Sequence, residues 1–412
     1  MRAHRLVLIV FGVACSGGTR APSPAVAQVR PGIEVVLSDS AHLITGKRLG
    51  LLTNNTGVDH LGRRDVDLLR ATPDARLTVL FSPEHGFLGR EDRMGLPDSR
   101  DSATGLPIYS LYGGSRTAAQ AALDSVDVLL IDLQDIGARY YTYIATTVQL
   151  MRAATRAGKR VIVLDRPDPV GGTLVQGNAR ARAGDPDSAF VGFMPVAMRY
   201  GMTLGELARM ANDVLAIGAD LVVVPAAGWQ RTMAYDETGL PWIKPSPNMP
   251  TLESAFHYPG TCLFEGTNLS VGRGTAMAFQ VVGAPWLDPA AVIERMRAFP
   301  IPGVDVTPTV FTPVTPTDGK YAGVPLQGVR FQVRDRRQYD PTKLAVVLLA
   351  AIRAAHPQQF QFRAESFDRL AAGPELRAAV EAGRSAREIW EAWEHDLARF
   401  RLLRAKYLIY PQ

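Results

Sequence analysis

The chain has 412 residues, which at roughly 150 per domain suggests two or three domains. With 47% hydrophobic and 21% charged residues it has the composition of a globular protein with ample core, and its 29 Pro and 37 Gly are spread rather than clustered, which excludes collagen-like and low-complexity classes. The net charge of +5 is partly a property of the first 27 residues, which hold Arg2, Arg5 and Arg20 and no acid; from Gln28 onward there are 42 basic and 40 acidic residues and no dense basic run. A nucleic-acid partner, which calls for a basic face, is therefore not expected.

The N-terminus reads as an export signal. Arg2, His4 and Arg5 form a basic start, and Leu6 to Ala14 is an apolar core too short to span a bilayer as a helix. Two exits follow. Ala25-Val26-Ala27 is an A-x-A cleavage site that makes residues 1–27 a signal peptide, and Cys15, after Gly12-Val13-Ala14, is an alternative lipoprotein cysteine. Both place the protein outside the cytoplasm, in the periplasm or cell envelope. No later apolar run is long enough for a transmembrane span. The other cysteine, Cys262, sits among apolar neighbours and reads as a small buried hydrophobe rather than a nucleophile.

Downstream, short apolar runs alternate with helical stretches. Leu49–Thr53, Leu77–Phe81, Val126–Asp132, Val161–Asp165 and Leu221–Pro225 are apolar on both faces, as buried parallel strands are. Thr142–Ala157 and Leu204–Ile217 have helical spacing, the latter opened by the capping box Thr203-x-x-Glu206 and closed by Gly218. This alternation predicts an α/β fold, a Rossmann-like doubly wound parallel sheet. No G-x-G-x-x-G follows the first strand, so no dinucleotide cofactor is expected. Four prolines within Pro241–Pro250 mark a boundary, giving domains at 28–245 and 246–412, the second a smaller α+β C-terminal domain. Within it Pro300–Pro316 reads as a turn region. The last fifty residues read as helical, with a capping box Ser385-x-x-Glu388 and a stripe Ile389, Trp393, Leu397 and Phe400 that packs on the domain.

Ligands of open parallel sheets bind beyond the carboxyl ends of the strands. There the predicted loops carry Asn54-Asn55, then Ser82-Pro83-Glu84-His85-Gly86-Phe87, then Asp132 through Gln134, Asp135, Arg139, Tyr140 and Tyr141, and finally Asp165-Arg166-Pro167-Asp168. An Asp at a strand end often only caps a helix, but all four loops are loaded at once. No nucleophile elbow, P-loop or H-E-x-x-H is present, and the spacing of Glu84, His85 and Asp132 does not demand a metal. A carboxylate-rich cleft with aromatic platforms suits a carbohydrate.

Several stretches carry a family resemblance: GLLTNNTGVD at 50–59, LFSPEHGFLG at 80–89, IDLQDIGARYYTY at 131–143, VLDRPDPVGG at 163–172, PVAMRYGMTLGELA at 195–208, PSPNMPT at 245–251, YPGTCLFEGTNLSVGRGT at 258–275 and LRAKYLIY at 403–410. Together they resemble the exo-β-N-acetylmuramidase (NamZ-like) family over nearly everything after the leader. The resemblance implies a hydrolase that removes N-acetylmuramic acid from the non-reducing ends of peptidoglycan fragments, in a cleft between a Rossmann-like and a smaller C-terminal domain. It also implies functional glutamates at Glu84 and Glu265.

Cleaving a glycoside needs an acid at the leaving oxygen and stabilisation of an oxocarbenium-like centre. Glu84 is the acid candidate, and Asp132 or Asp135 is a second carboxylate able to orient the substrate's acetamido group. Arg139 or Arg273 is the natural bidentate partner of the lactyl carboxylate, and Tyr140, Tyr141 and Phe87 are candidates to face the ring. Asn54, His85, Gln134, Asp165, Arg166, Asn248 and Asn268, all within these loops and motifs, complete the substrate-binding candidates. Two other classes fit the same cleft: a non-catalytic muropeptide-binding envelope protein, which needs no pair of carboxylates, and a peptidoglycan amidase or esterase, which needs a metal cluster or a nucleophile with its base.

Overall fold

A computed structural model of the chain describes residues 28–93, 95–114, 116–180 and 190–411. The export signal and Cys15 lie outside the described residues. The first domain is built on seven strands: β1 Lys47–Thr53, β2 Ala75–Ser82, β3 Ser99–Arg100, β4 Pro107–Ser110, β5 Val128–Asp132, β6 Arg160–Leu164 and β7 Leu221–Val224. Their order is β3-β4-β2-β1-β5-β6-β7, parallel throughout except for β3 against β4. β1 lies at the centre, with Leu51 level with Leu80 of β2 and Leu130 of β5. The five apolar runs of the sequence are β1, β2, β5, β6 and β7. β3 and β4 have no such run: they are short, and the first is Ser-Arg.

Both faces of the sheet are covered. Leu129 and Ile131 of β5 join one core with Leu123, Val148, Met151 and Leu207, while Val128 and Leu130 join another with Ile33, Val36, Val66 and Leu69. This alternation follows from the two-residue period of a strand, and it makes the sheet doubly wound. Leu129, Leu130 and Ile131 are completely buried, and each such side chain stabilises the fold by about 1.5–3 kcal/mol before entropy is counted.

The second domain holds an antiparallel sheet of β8 Val281–Ala284, β9 Val304–Phe311 and β10 Leu326–Val333, in the order β8-β10-β9. β9 corrects the turn reading of Pro300–Pro316. Pro308 pairs with Val329 in the ladder, and it is tolerated because β9 is an edge strand, where a missing N–H leaves no neighbour unsatisfied. Against this sheet lie the helices Leu252–Thr261 and Pro289–Met296, and on both of them packs the helix Pro341–Ala355, apolar along most of its length, with Asp340 accepting hydrogen bonds from the Thr342 and Lys343 amides. The helices Ala386–Glu391 and Glu394–Ala405, with Trp393 in the turn between them, then bring in Ile389, Trp393, Leu397 and Phe400, all buried.

The chain finally returns to the first domain. Tyr410 Oη donates to Asp165 at 2.7 Å and accepts from the Ala226 amide at 2.9 Å, with its ring edge-on to Trp229. Arg404 donates to the Gly201 carbonyl at 3.1 Å. The larger core runs without a break from Ile131 and Met151 to Leu348 and Phe400, so the two domains share one apolar interior. Among the described residues no helix is long and apolar enough to cross a membrane.

Candidate active site

A cavity of about 570 Å³ opens between the domains. The first domain supplies the turn after β2. The Gly86 amide donates to the Pro83 carbonyl at 3.1 Å, and His85 and Gly86 both take left-handed conformations, with φ of 69° and 72°. Glycine adopts that geometry freely; a histidine held there carries strain of the kind found at functional sites. The turn brings Glu84 to the N-terminal end of the helix Tyr143–Arg156. There the Thr142 hydroxyl, instead of capping its own helix, donates to Glu84 Oε2 at 2.5 Å. Tyr112, which follows β4, is the other close neighbour of Glu84. Burial, and then the Glu84 charge, raise its pKa, so it stays a phenol. His85 Nδ1 lies 2.7 Å from the Glu91 carbonyl and must donate to it.

The second domain supplies Glu265. The helix Leu252–Thr261 runs straight into the tight turn Cys262–Gly266 that carries it. Lys320, itself buried, donates to the carbonyls of Glu265 at 3.0 Å and Leu269 at 2.9 Å and so fixes this turn. Burial lowers its pKa to about 8. Arg273 Nε bonds Glu265 Oε1, and Arg273 Nη1 reaches Asp92 Oδ2 at 3.0 Å. Asn248 Nδ2 meets the same Asp92 oxygen at 2.6 Å, and the Thr317 hydroxyl bonds it as well. Asp92, from the first domain, thus holds Arg273 and Thr317 from the second domain and Asn248 from the proline-rich boundary segment. Burial opposes the charge on Arg273, but Glu265 and Asp92 more than offset this and keep it protonated. The Cys262 thiol points at Glu265 Oε2 at 3.6 Å; burial and that carboxylate push its pKa well up, so it is a buried thiol and not a nucleophile.

Of the residues singled out in the sequence, Glu84, His85, Tyr140, Tyr141, Asn248, Glu265 and Arg273 line the cavity. The others are engaged elsewhere. Asp132 is fully buried in an ion pair with Arg166, whose Nη2 also donates to the Val58 carbonyl at 2.7 Å. With that pair beneath the loops, Glu84, His85 and Asp132 form no ligand set. Among the described residues, the cluster with metal-ligand spacing is Glu34, Asp59 and His60, outside the cavity. Asn54 shapes its own loop, accepting from the Thr56 amide at 2.9 Å and donating to Tyr143 Oη at 2.7 Å. Gln134 donates to the Pro167 carbonyl at 2.9 Å, and Asp135 accepts from Tyr200 and from the Gly137 amide at 2.9 Å. Asp165 accepts from Thr203, the Gly205 amide and Tyr410, capping the helix Leu204–Val214. Arg139 is buried against Asn178 and the Leu370 carbonyl. Asn268 bridges to Gln359 and Gln361, and Phe87 packs into the second core of the sheet.

Tyr112, Asp92, Tyr258, Lys320 and Arg369 were not singled out in the sequence. Asp92 lies just past the SPEHGFLG stretch, which is the one signal that pointed to it; nothing in the sequence marks Lys320.

The buried carboxyls of these loops have a measurable consequence. Burial raises Asp135 to about 6, Asp165 to about 7 and Asp168 to about 8, the last despite Arg199. Asp168 Oδ1 accepts from the Val170 amide at 3.2 Å, and among the described residues Oδ2 has no hydrogen-bond partner. A carboxyl whose pKa is higher folded than unfolded contributes fully below about pH 4 and loses that contribution as pH rises toward its folded value. Urea denaturation of Asp168→Asn should therefore show a flatter decline of stability between pH 5 and 8 than wild type. Parallel declines would show that Asp168 is ionised in the fold.

Residues 49–253 match the family described as exo-beta-N-acetylmuramidase NamZ, N-terminal, and residues 256–410 match its C-terminal counterpart. The chain is 41% identical over 388 residues to the peptidoglycan beta-N-acetylmuramidase NamZ of Bacillus subtilis (strain 168), covering 93% of this chain and 92% of that one. It is also similar to two crystal structures of DUF1343 family proteins from Bacteroides fragilis NCTC 9343. Their TM-scores are 0.84 at 33% identity and 0.74 at 31% identity, each over 94% of this chain and 100% of the other. With both halves of the chain matched in order, the chain belongs to the exo-β-N-acetylmuramidase NamZ family.

Proposed function

We propose that the protein is an exo-acting β-N-acetylmuramidase, a glycoside hydrolase that releases N-acetylmuramic acid from the non-reducing ends of peptidoglycan fragments. The observation that carries this reading is the pair Glu84 and Glu265, which come from different domains and line one cavity. A module that only bound the saccharide would need no such pair. The cavity's volume falls within the range of small-molecule sites, and Tyr112, Tyr140, Tyr141, Phe190 and Tyr258 give it the aromatic surface that the apolar faces of sugar rings pack against.

The roles divide by partner. Glu265 is ion-paired with Arg273 and serves as the charged carboxylate beside the anomeric centre, where it stabilises the developing positive charge or orients the acetamido carbonyl for attack on the anomeric carbon. Among the described residues Glu84 meets the hydroxyls of Thr142 and Tyr112 and forms no ion pair; it delivers the proton to the leaving oxygen. Asp132 and Asp135, locked in the interior, take no part in the chemistry.

The protein acts outside the cytoplasm, released by cleavage after Ala27 or held by a lipid on Cys15; this reading rests on the sequence of the leader. Intact-mass analysis from the native host should show a chain beginning at Gln28 or a diacylglyceryl Cys15. A cytoplasmic chain that retains Met1 would contradict it.

Purified protein should hydrolyse a chromogenic N-acetylmuraminide far faster than the matching N-acetylglucosaminide; failure to cleave the muraminide overturns the enzymatic reading. Glu84→Gln should lower turnover of a natural disaccharide by roughly 10²–10⁴-fold with the fold retained. The deficit should shrink on a nitrophenyl leaving group, which departs with little help from an acid. Wild-type turnover of the disaccharide by this variant would move the acid role to Glu265.

A further inference from the structure

The cavity is acidic, and its substrate under the reading above is an anion. Glu84, Asp92, Glu265 and Glu365 line it, against the guanidinium groups of Arg273 and Arg369. Arg273 is committed to Glu265 and Asp92 on both sides. Arg139, the other cation that the sequence offered, is buried outside the cavity lining. Arg369 is exposed, and its guanidinium forms no hydrogen bond or ion pair with any described residue, including the carboxylate of Glu365 one helical turn earlier. Among the described residues it is the uncommitted cation of the cavity.

Its helix, Ala364–Ala371, is fixed relative to Glu265. Gly266, the residue after Glu265, lies against the backbone of Phe367, so closely that a Cβ there would come within 2.5 Å of Phe367 Cα. The Arg363 amide donates to the Gly266 carbonyl at 2.8 Å, and Phe367 is fully buried. At the far end, Arg139 donates to the Leu370 carbonyl at 3.0 Å and Asn178 to the Ala371 carbonyl at 3.1 Å. Cations and N–H donors at a helix carboxyl end complement its dipole. The chain therefore presents a free guanidinium on a helix anchored to the same turn as a catalytic glutamate.

We propose that Arg369 is the specificity residue of the cavity and receives the lactyl carboxylate of the muramic acid ring as a charge-assisted, bidentate pair. The assignment rests on the muramidase reading and deepens it: the carboxylate is what separates this sugar from N-acetylglucosamine, and without Arg369 it would enter a cavity of four carboxylates and one neutralised cation. Arginine suits the role better than lysine because its planar fork matches both carboxylate oxygens.

The test compares a nitrophenyl N-acetylmuraminide with the same compound after its lactyl carboxylate is converted to the methylamide. On wild type the acid should be preferred. Arg369→Ala should lower kcat/KM for the acid by roughly ten- to a hundredfold, mainly through KM, as expected for loss of a charged hydrogen-bonded pair. The amide should lose far less, so the acid-to-amide ratio collapses, and Arg369→Lys should recover part of it. An unchanged ratio in Arg369→Ala would overturn the assignment, and so would equal losses on both compounds. Calorimetric binding of free N-acetylmuramic acid and of its lactyl methylamide reads the same contact without turnover. Arg369-dependent preference for the acid in a protein that cleaves neither compound would uphold this assignment and overturn the enzymatic reading instead.

Discussion

The Asp92–Arg273–Glu265 chain is the interaction on which the site depends. Its three members come from a loop of the first domain, a loop of the second, and the turn at the end of a helix. Exposed ion pairs contribute little, about 0–1 kcal/mol, because water screens them and their side chains lose entropy. These side chains keep only 14–20% of their exposure, so screening is weaker and the loss of either carboxylate would leave Arg273 half-compensated. Asn248 and Thr317 converge on the same Asp92 carboxylate. The chain thus couples the orientation of Glu265 to the closeness of the two domains, and with it the distance between Glu265 and Glu84.

Polar residues elsewhere in the loops build the platform beneath. In the doubly wound order the strand direction of travel reverses between β1 and β5, where ligands usually bind. Here that point is filled by protein: Asp132 with Arg166, Asn54 with Tyr143, and Gln134 with Pro167. The cavity lies beside it, over the exits of β2 and β4 and the loop after β5, roofed by the second domain. A buried polar network costs stability unless its members are paired, and these are largely paired with one another. The returning C-terminal residues complete the platform through Tyr410 on Asp165 and Arg404 on Gly201.

This division explains what could be read from the sequence. The central strands were legible because burial on both faces leaves a continuous apolar run. β3 and β4 were not, being too short to leave a pattern, and β9 was hidden by Pro308, whose acceptance depends on its place at a sheet edge. At the site, Glu84 and Asp165 were indistinguishable: both are carboxylates at strand exits. What separates them is tertiary. The second domain arrives over Glu84, whereas the Thr203 cap and Tyr410 close over Asp165. Arg139 and Arg369 show the same limit. The cation in the stronger motif anchors a helix, and the one with no motif faces the cavity.

The geometry of the site depends on the coupling of the two domains through Arg273. A double-mutant cycle of Asp92→Ala and Arg273→Ala, read as kcat/KM on an N-acetylmuraminide with folding checked by circular dichroism, measures it directly. If both residues act through one chain to Glu265, the double variant should be hardly worse than Arg273→Ala alone, a coupling of about 1 kcal/mol or more. Losses that add to within about 0.3–0.5 kcal/mol would mean that Asp92 and Arg273 act independently, and would contradict the claim that this chain builds the site.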